Sequence, residues 1–201
     1  MKALRIAPAL VAGLLLAACA TQRPAPGALS HLPEQYSVAG RVAVNAAGKG
    51  YNARFSWTHQ AALDTVDVSN PLGQVVARLE LAPDGARFFD SDGKRKEAGD
   101  VEALSEKELG WRLPAEGLRY WLLGLADPRR PSQWRQETGA QVLEQDDWQI
   151  RYPIKAGQAE TGRTAPNALT LIRPDLEVRI ALYDWELATP AATPSNNPAS
   201  H

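Results

Sequence analysis

The sequence is short of the residues that most catalytic and metal sites use. It has one cysteine and three histidines among 201 residues. A single cysteine can form neither an internal disulfide nor a thiolate metal site, so a disulfide framework and a zinc module are both excluded. The chain also lacks Gly-x-Ser-x-Gly, His-Glu-x-x-His and a glycine-rich phosphate loop. We therefore predict a protein that is not an enzyme and that uses no metal or cofactor.

The titratable residues that remain give little support to catalysis. His31 and His201 lie near the two ends, and His59 follows a predicted strand, where we interpret it as an exposed turn residue. The acidic clusters 146–147 and 106–108 are neighbours in sequence, so we interpret them as solvated charge. An enzyme acting through His59 or Asp147 is a distant alternative, because catalytic groups can assemble from separate positions.

The amino terminus has the layout of an export signal. Lys2 and Arg5 precede an apolar run over residues 6–16, which Pro8 and Gly13 interrupt. A membrane-spanning helix needs about 20 apolar residues, so this run is too short to be one. We predict a signal peptide over residues 1–18.

The segment after that run resembles a bacterial lipobox. Its residues are Leu16-Ala17-Ala18-Cys19, and the thiol of Cys19 is the group that would accept lipid. More than one acyl chain makes anchoring effectively stable, because each buried methylene contributes about 0.8 kcal/mol. Ala20 follows the cysteine, and the absence of Asp there resembles lipoproteins sent to the outer membrane. We predict a lipid-anchored protein on the periplasmic face of the outer membrane.

Composition divides the mature chain into three parts. Residues 19–31 are rich in Pro and small residues and predict a flexible tether, while residues 188–201 have almost no apolar mass and predict a disordered tail. Residues 32–187 are the folded domain. Loss of Lys2 and Arg5 with the signal leaves 20 basic and 23 acidic residues, a balance of −3. That net charge does not indicate nucleic-acid binding. We also expect a monomer.

Apolar residues alternate with polar ones along most of the domain, which is typical of strands with one buried face. The alternating positions are Val38, Gly40, Val42 and Val44; Tyr51, Ala53, Phe55 and Trp57; Val66 and Val68; Val75, Ala77, Leu79 and Leu81; Trp148, Ile150 and Tyr152; Leu169 and Leu171; and Leu176, Val178, Ile180 and Leu182. Turn residues separate these segments, which favours an antiparallel sheet.

Two helices are predicted in the middle of the domain. Asp100 is a plausible N-cap for a helix over residues 101–109, with Gly110 at its end. Pro114 marks the start of a second helix, whose apolar stripe is Leu118, Trp121, Leu122 and Leu125, and Gly124 with Pro128 ends it. The predicted fold is α+β, a curved antiparallel sheet with a few helices over its concave side.

The turn between two predicted strands, Ser69-Asn70-Pro71-Leu72-Gly73-Gln74, has an unusual tip. Pro71 fixes its own φ and Gly73 accepts a positive φ, so Leu72 between them can project from the loop. Turn tips are normally polar. The residues leave two interpretations equally open, since Leu72 can project into solvent or fold back onto the sheet edge.

Several motifs, in order along the domain, resemble the family of the outer-membrane lipoprotein receptor LolB. They are Gly40-Arg41-Val42-Ala43-Val44, Tyr51-x-Ala53-Arg54-Phe55-x-Trp57, Asn70-Pro71-Leu72-Gly73, Leu113-Pro114, Leu118-x-x-Trp121-Leu122-x-Gly124, Trp148-x-Ile150-x-Tyr152 and Trp185. The resemblance covers nearly all of residues 32–187. No role for the tail after Leu187 follows from the family.

The resemblance implies a half-barrel sheet closed by helices around a hydrophobic cavity. Such a protein accepts lipoproteins, by their acyl chains, from the periplasmic carrier LolA and inserts them into the lipids of the outer membrane without nucleotide. The resemblance implies an exposed, membrane-inserting role for Leu72 with its neighbours Pro71 and Gly73. The candidate cavity-lining residues are Phe55, Trp57, Trp121 and Trp148. The alternative is a lipid-anchored binding module for another apolar ligand.

Overall fold

The computed structural model of the protein describes residues 29–46, 48–154 and 166–187. The predicted signal peptide, the predicted lipidation site Cys19, most of the predicted tether and the predicted tail lie outside the described residues. Every structural statement below concerns the described ranges.

These ranges contain eleven strands and two helices. The strands are β1 (Gln35–Ala46), β2 (Lys49–Gln60), β3 (Leu63–Ser69), β4 (Val75–Ala82), β5 (Gly85–Asp90), β6 (Arg95–Ala98), β7 (Gln133–Glu137), β8 (Ala140–Gln145), β9 (Trp148–Pro153), β10 (Ala168–Arg173) and β11 (Leu176–Leu187). The helices are α1 (Val101–Leu109) and α2 (Ala115–Trp121).

All strands belong to one sheet, in the order β6-β5-β4-β3-β2-β1-β11-β10-β9-β8-β7. Every neighbouring pair is antiparallel, and the first strand pairs with the last at the centre of the sheet. The sheet is curved and does not close, so β6 and β7 are free edges. The predicted α+β class with an open antiparallel sheet is confirmed.

The alternating pattern of the strands sets which face is buried. In β2, Phe55 and Trp57 are buried while Arg54 and Ser56 are exposed. The same alternation continues to His59, which is only 2% exposed. The prediction that His59 is an exposed turn residue is therefore wrong, because β2 runs on to Gln60 and puts its ring on the inward face.

Four strands have no counterpart in the sequence-based prediction. The edge strands β6 and β7 consist mostly of charged and polar residues, so they show little apolar alternation. In β8 the adjacent residues Val142 and Leu143 are both fully buried. A strand covered on both faces loses the period of two by which strands are recognised. In β5, Phe88 and Phe89 are both partly buried, with the same effect.

The first helix begins and ends as predicted. The side chain of Asp100 accepts a hydrogen bond from the backbone N–H of Glu102, at 2.9 Å, and Gly110 has the left-handed φ of 79° that ends many helices. The second helix starts after Pro114 as expected but ends at Trp121. Tighter turn bonds follow it, because the N–H of Leu123 bonds the carbonyl of Tyr120 and Gly124 adopts a φ of 71°. Neither helix is long and apolar enough to cross a bilayer.

Candidate functional site

A cavity of about 420 Å³ lies between the inward face of β1 to β5 and the two helices. Its volume falls within the roughly 300–1,000 Å³ of small-molecule pockets. The lining is almost entirely apolar and comprises Val42, Val44, Tyr51, Asn52, Ala53, Phe55, Trp57, Val66, Val68, Ala77, Leu79, Phe88, Leu104, Ser105, Glu108, Trp111, Leu113, Leu118, Leu122, Val178 and Ile180. Such a surface favours hydrocarbon over water, because transfer of apolar groups out of water is favourable.

The position of Phe55 in the cavity wall depends on a glycine. Gly40 of β1 lies opposite Phe55 of β2 in the sheet register. A Cβ atom added at Gly40 would lie 2.5 Å from the Phe55 ring and 2.6 Å from the carbonyl oxygen of Ala181. The ring thus occupies the space that a side chain at position 40 would need. Glycine at this position sets how deep the ring lies in the sheet.

The cavity reaches the surface at one end of the sheet. Tyr51, which is 53% exposed, and Asn52 both belong to the lining and lie beside the loop between β3 and β4. On the helix side, Glu108 forms an ion pair with Lys96 of β6. The polar groups of the cavity therefore include rim residues, while its floor is apolar.

The candidate lining residues fall into two groups in the structure. Phe55 and Trp57 line the cavity, whereas Trp121 and Trp148 do not. Their rings contact each other at a centroid distance of 6.4 Å and lie in the core against β8 and β9. Trp121 faces away from the cavity because its ring N–H donates to Gln145 at 2.9 Å, and Gly117 one turn earlier leaves room for the ring.

Gln145 and Asp127 hold the loop after α2 against the sheet. The Gln145 amide accepts from the Asp127 backbone N–H and donates to the Asp127 carbonyl, both at 2.9 Å. The Asp127 carboxylate receives two bonds from the Arg129 guanidinium, at 2.9 and 2.8 Å. Burial alone would raise the pKa of Asp127, but the bonds from Arg129 and the nearby charge of Arg130 outweigh it and lower the pKa below its ordinary value.

A buried polar cluster lies on the other side of α2, at the deep end of the cavity. The carboxylate of Asp64, fully buried in β3, accepts from the ring N–H of Trp57 and contacts Nδ1 of His59, both at 2.8 Å. Its second oxygen pairs with the guanidinium of Arg119 in α2. The hydroxyl of Tyr36 donates to the Arg119 carbonyl at 3.0 Å. Burial, followed by the negative charge of Asp64, raises the pKa of Tyr36 above its ordinary value.

Sequence reasoning missed this cluster, although one signal for it was present. His59 continues the inward alternation of Phe55 and Trp57 by one step, so a buried histidine in need of a partner could have been inferred. Asp64 occupies the matching inward position of β3, directly opposite His59. The local pattern does not indicate that Arg119 belongs to this cluster, because Asp64, its partner, is 55 residues away in sequence.

The loop between β3 and β4 displays Leu72 on a fixed framework. The side-chain oxygen of Asn70 accepts from the backbone N–H groups of Leu72 and Gln74, at 3.0 and 3.1 Å. The N–H of Gly73, which has a φ of 85°, donates to the Asn70 carbonyl at 2.9 Å. Leu72 is 85% exposed, so its side chain projects from the loop and does not fold back onto the sheet edge.

These features can hold an apolar group but offer little chemistry. Within the described ranges, no group of three or more His, Cys, Asp or Glu side chains is arranged to hold a metal ion. The carboxylate of the buried Asp64 lies against Trp57, His59 and Arg119. The arrangement fits binding of hydrocarbon next to an exposed aliphatic loop.

The comparison with known families agrees with this geometry. The profile of the family described as outer membrane lipoprotein LolB matches residues 34–185. The chain belongs to this family. The matched range runs from just before β1 into β11, so it includes the cavity, both helices and the Leu72 loop.

Individual relatives support the same assignment. An outer-membrane lipoprotein LolB from Chromobacterium violaceum is 35% identical over 176 residues, which cover 86% of this chain and 94% of the relative. One from Azoarcus sp. strain BH72 is 34% identical, covering 89% and 93%. Among solved structures, a LolA superfamily protein from Nitrosomonas europaea overlaps 80% of this chain and 89% of its own, with 8% identity and a TM-score of 0.46. A TM-score of that size is too low to carry any inference about function.

Proposed function

We propose that this LolB-family protein is an outer-membrane lipoprotein that accepts other lipoproteins from the periplasmic carrier LolA and inserts them into the outer membrane without nucleotide. The observation that carries the proposal is an apolar cavity that opens beside a loop with a projecting leucine. Membership of the family supports the direction of transfer, from carrier to membrane.

The cavity would shelter acyl chains from water during transfer. Each methylene that leaves water gains about 0.8 kcal/mol, so cargo should move only between apolar surroundings. The floor of the cavity, with Leu79, Leu118 and Val178, supplies such surroundings and contains no charged group. A cavity of about 420 Å³ that lies open at one end holds part of a lipid and can release it.

Leu72 would bring the mouth of the cavity into contact with lipid. Burying one leucine side chain contributes only about 1.5–3 kcal/mol, so the contact is reversible. Acyl chains on Cys19 would keep the domain at the membrane throughout the transfer. The loop would orient the domain so that the mouth of the cavity faces the lipid. Hydrogen bonds from Asn70 favour this role, because a loop already held in shape loses little conformational freedom on insertion.

The test replaces Leu72 by Glu in the acylated protein and follows transfer of a lipoprotein from loaded LolA to vesicles. Glutamate is costly to bury in hydrocarbon, so delivery to the bilayer should fall at least tenfold while receipt from the carrier continues. Leu63→Glu is the matched control. Leu63 is 40% exposed and lies at the opposite end of the sheet, so that variant should deliver cargo normally.

Two outcomes would contradict the proposal. Normal delivery by Leu72→Glu would remove the insertion role of the loop. Failure of the unaltered protein to take cargo from loaded LolA, combined with binding of a fluorescent fatty acid, would favour a binding module for another apolar ligand.

A further inference from the structure

Two arginines face each other on the outer, convex side of the sheet. Arg41 of β1 and Arg54 of β2 are direct partners in the antiparallel register. Both side chains are exposed, on the face opposite to the cavity. Like charges directly opposite each other across two strands are destabilising, so this pair weakens the sheet by itself.

The pair also stands apart from the other arginines of the described residues. On the same face, Arg78 makes two bonds to Asp67, at 2.6 and 2.8 Å, and Arg179 bonds Glu177 at 2.6 Å. The remaining arginines, apart from Arg173 over the Trp148 ring, each have a carboxylate within ion-pair distance. Within the part of the chain that the structure describes, Arg41 and Arg54 have no acidic partner.

The two arginines border a shallow groove next to the Leu72 loop. The groove has a volume of about 620 Å³, and Pro71, the neighbour of Leu72, forms part of its wall. Its lining includes the small side chains Ala43, Ala168 and Ala181 together with a third arginine, Arg179. A cationic groove lined in part by small apolar side chains therefore lies at the base of the loop whose tip is the projecting leucine.

We propose that Arg41 and Arg54 bind the phosphate groups of membrane lipids when Leu72 enters the bilayer. This inference rests on the proposed function, because it uses the membrane contact of the loop. Lipid phosphates lie just outside the hydrocarbon, in a polar layer roughly 5–8 Å deep on each side. A loop tip in hydrocarbon puts the base of the loop, and with it the groove, in that layer.

The chemistry of the groove favours lipid phosphate. Guanidinium groups bind phosphate through pairs of parallel hydrogen bonds, and two adjacent ones offer such pairs to one or two headgroups. The mature chain has a balance of −3, so general electrostatic attraction to an anionic membrane is lacking and a local cationic site is needed. An anion between Arg41 and Arg54 would also remove their repulsion, so the strain in the free protein favours binding.

The test measures docking of the domain on vesicles that already hold its anchor. The acylated full-length mature chain receives a fluorophore on a cysteine replacing Asn45, an exposed position on the same face of β1 as Arg41. The vesicles are phosphatidylcholine alone or an equal mixture with phosphatidylglycerol, and a nitroxide on the headgroup quenches the fluorophore when the domain docks. The anchor is the same in every variant, so quenching reports docking of the domain.

The informative variant is Arg41→Gln combined with Arg54→Gln. Loss of two charged contacts should lower the docking constant on mixed vesicles roughly 30-fold and remove most of its dependence on salt. The matched control, Arg87→Gln with Arg95→Gln, removes the same charge from β5 and β6 and should dock like the unaltered chain. The double variant at positions 41 and 54 should unfold at an equal or higher temperature, because a repulsion is removed.

Three results would overturn the proposal. The first is docking of the double variant at the unaltered level. The second is docking of the unaltered chain that is as tight on vesicles of a phosphate-free glycolipid as on the mixed phospholipid vesicles, which would show that lipid phosphate is not the ligand. The third is normal docking with lost receipt from loaded LolA, which would make the groove a protein-binding surface. Docking uses neither carrier nor cargo, so its failure is distinct from failure of the proposed function.

Discussion

The two halves of the sheet have similar apolar residues on their inward faces, but one half encloses a cavity and the other a packed core. On β1 to β5 the inward side chains face an open cavity, whereas on β8 to β10 they pack against each other and against Trp121. The helix α2 separates the halves. Leu118 and, directly after the helix, Leu122 point toward the cavity, while Trp121 points toward the packed half. It is held on both sides, by Asp64 through Arg119 and by Gln145 through Trp121. Polar bonds on both sides of the helix favour an open cavity over movement of the helix into the space.

The largest loss of stability is expected at the ion pair between Asp64 and Arg119, on the cavity side of α2. Asp64→Asn leaves Arg119 without its carboxylate, and breaking a buried ion pair typically costs about 3–5 kcal/mol. The free energy of unfolding, measured by urea denaturation, should fall by that amount. Asp67→Asn is the control on the same strand, because its pair with Arg78 is solvent-accessible and should contribute about 0–1 kcal/mol. Equal losses in the two variants would show that Asp64 does not hold the helix.

Truncating one leucine in each half compares the packing directly. Leu143→Ala, in the packed half where the side chain is fully buried, should cost about 2–5 kcal/mol. Leu79→Ala, in the cavity wall, should cost clearly less, because one side of Leu79 already faces empty space and has few contacts to lose. The measurement is again the free energy of unfolding. A larger loss for Leu79 would mean that the cavity is closed or filled in solution.

The smallest effect concerns how the contribution of Asp127 to the free energy of unfolding changes in acid. Asp127 lies beside the packed half of the sheet. The lowered pKa of Asp127 means that the folded state favours the carboxylate, so its contribution is present above the ordinary value of about 3.9 and is lost as pH falls toward the lowered one. Asp127→Asn should therefore cost about 1–2 kcal/mol near neutral pH and less below pH 4 or so. Unfolding curves across that range check this. A constant difference at all pH values would contradict the coupling to Arg129.

The strands with one buried face were predicted far better than the edge strands, the strands covered on both faces and the polar bonds. Strands such as β2 and β11 have one buried and one solvent-exposed face, so apolar and polar residues alternate along their sequences with a period of two. β8 is covered on both sides and β6 is almost wholly exposed, so neither shows that period. Phe55 and Trp57 belong to the lining of the cavity, because strand alternation fixes which way they point.

The tryptophans of the packed half show the limit of such reasoning. Size and resemblance alone led to Trp121 and Trp148 as candidates for the wall, but a large ring serves a core equally well. The direction of the Trp121 ring depends on Gln145, 24 residues away, and on the space above Gly117. Contacts of that kind arise only when the chain has folded.

The free edges of the sheet affect how readily a protein that handles acylated cargo would aggregate. The unpaired backbone of β6 and β7 would offer a template for another chain, yet Arg95, Lys96 and Glu97 occupy one border and Arg135 with Glu137 the other. Ionic side chains along a border discourage strand-by-strand stacking. A hollow, unclosed sheet can thus remain dispersed at high local density on a membrane without the sealing that a complete barrel would require.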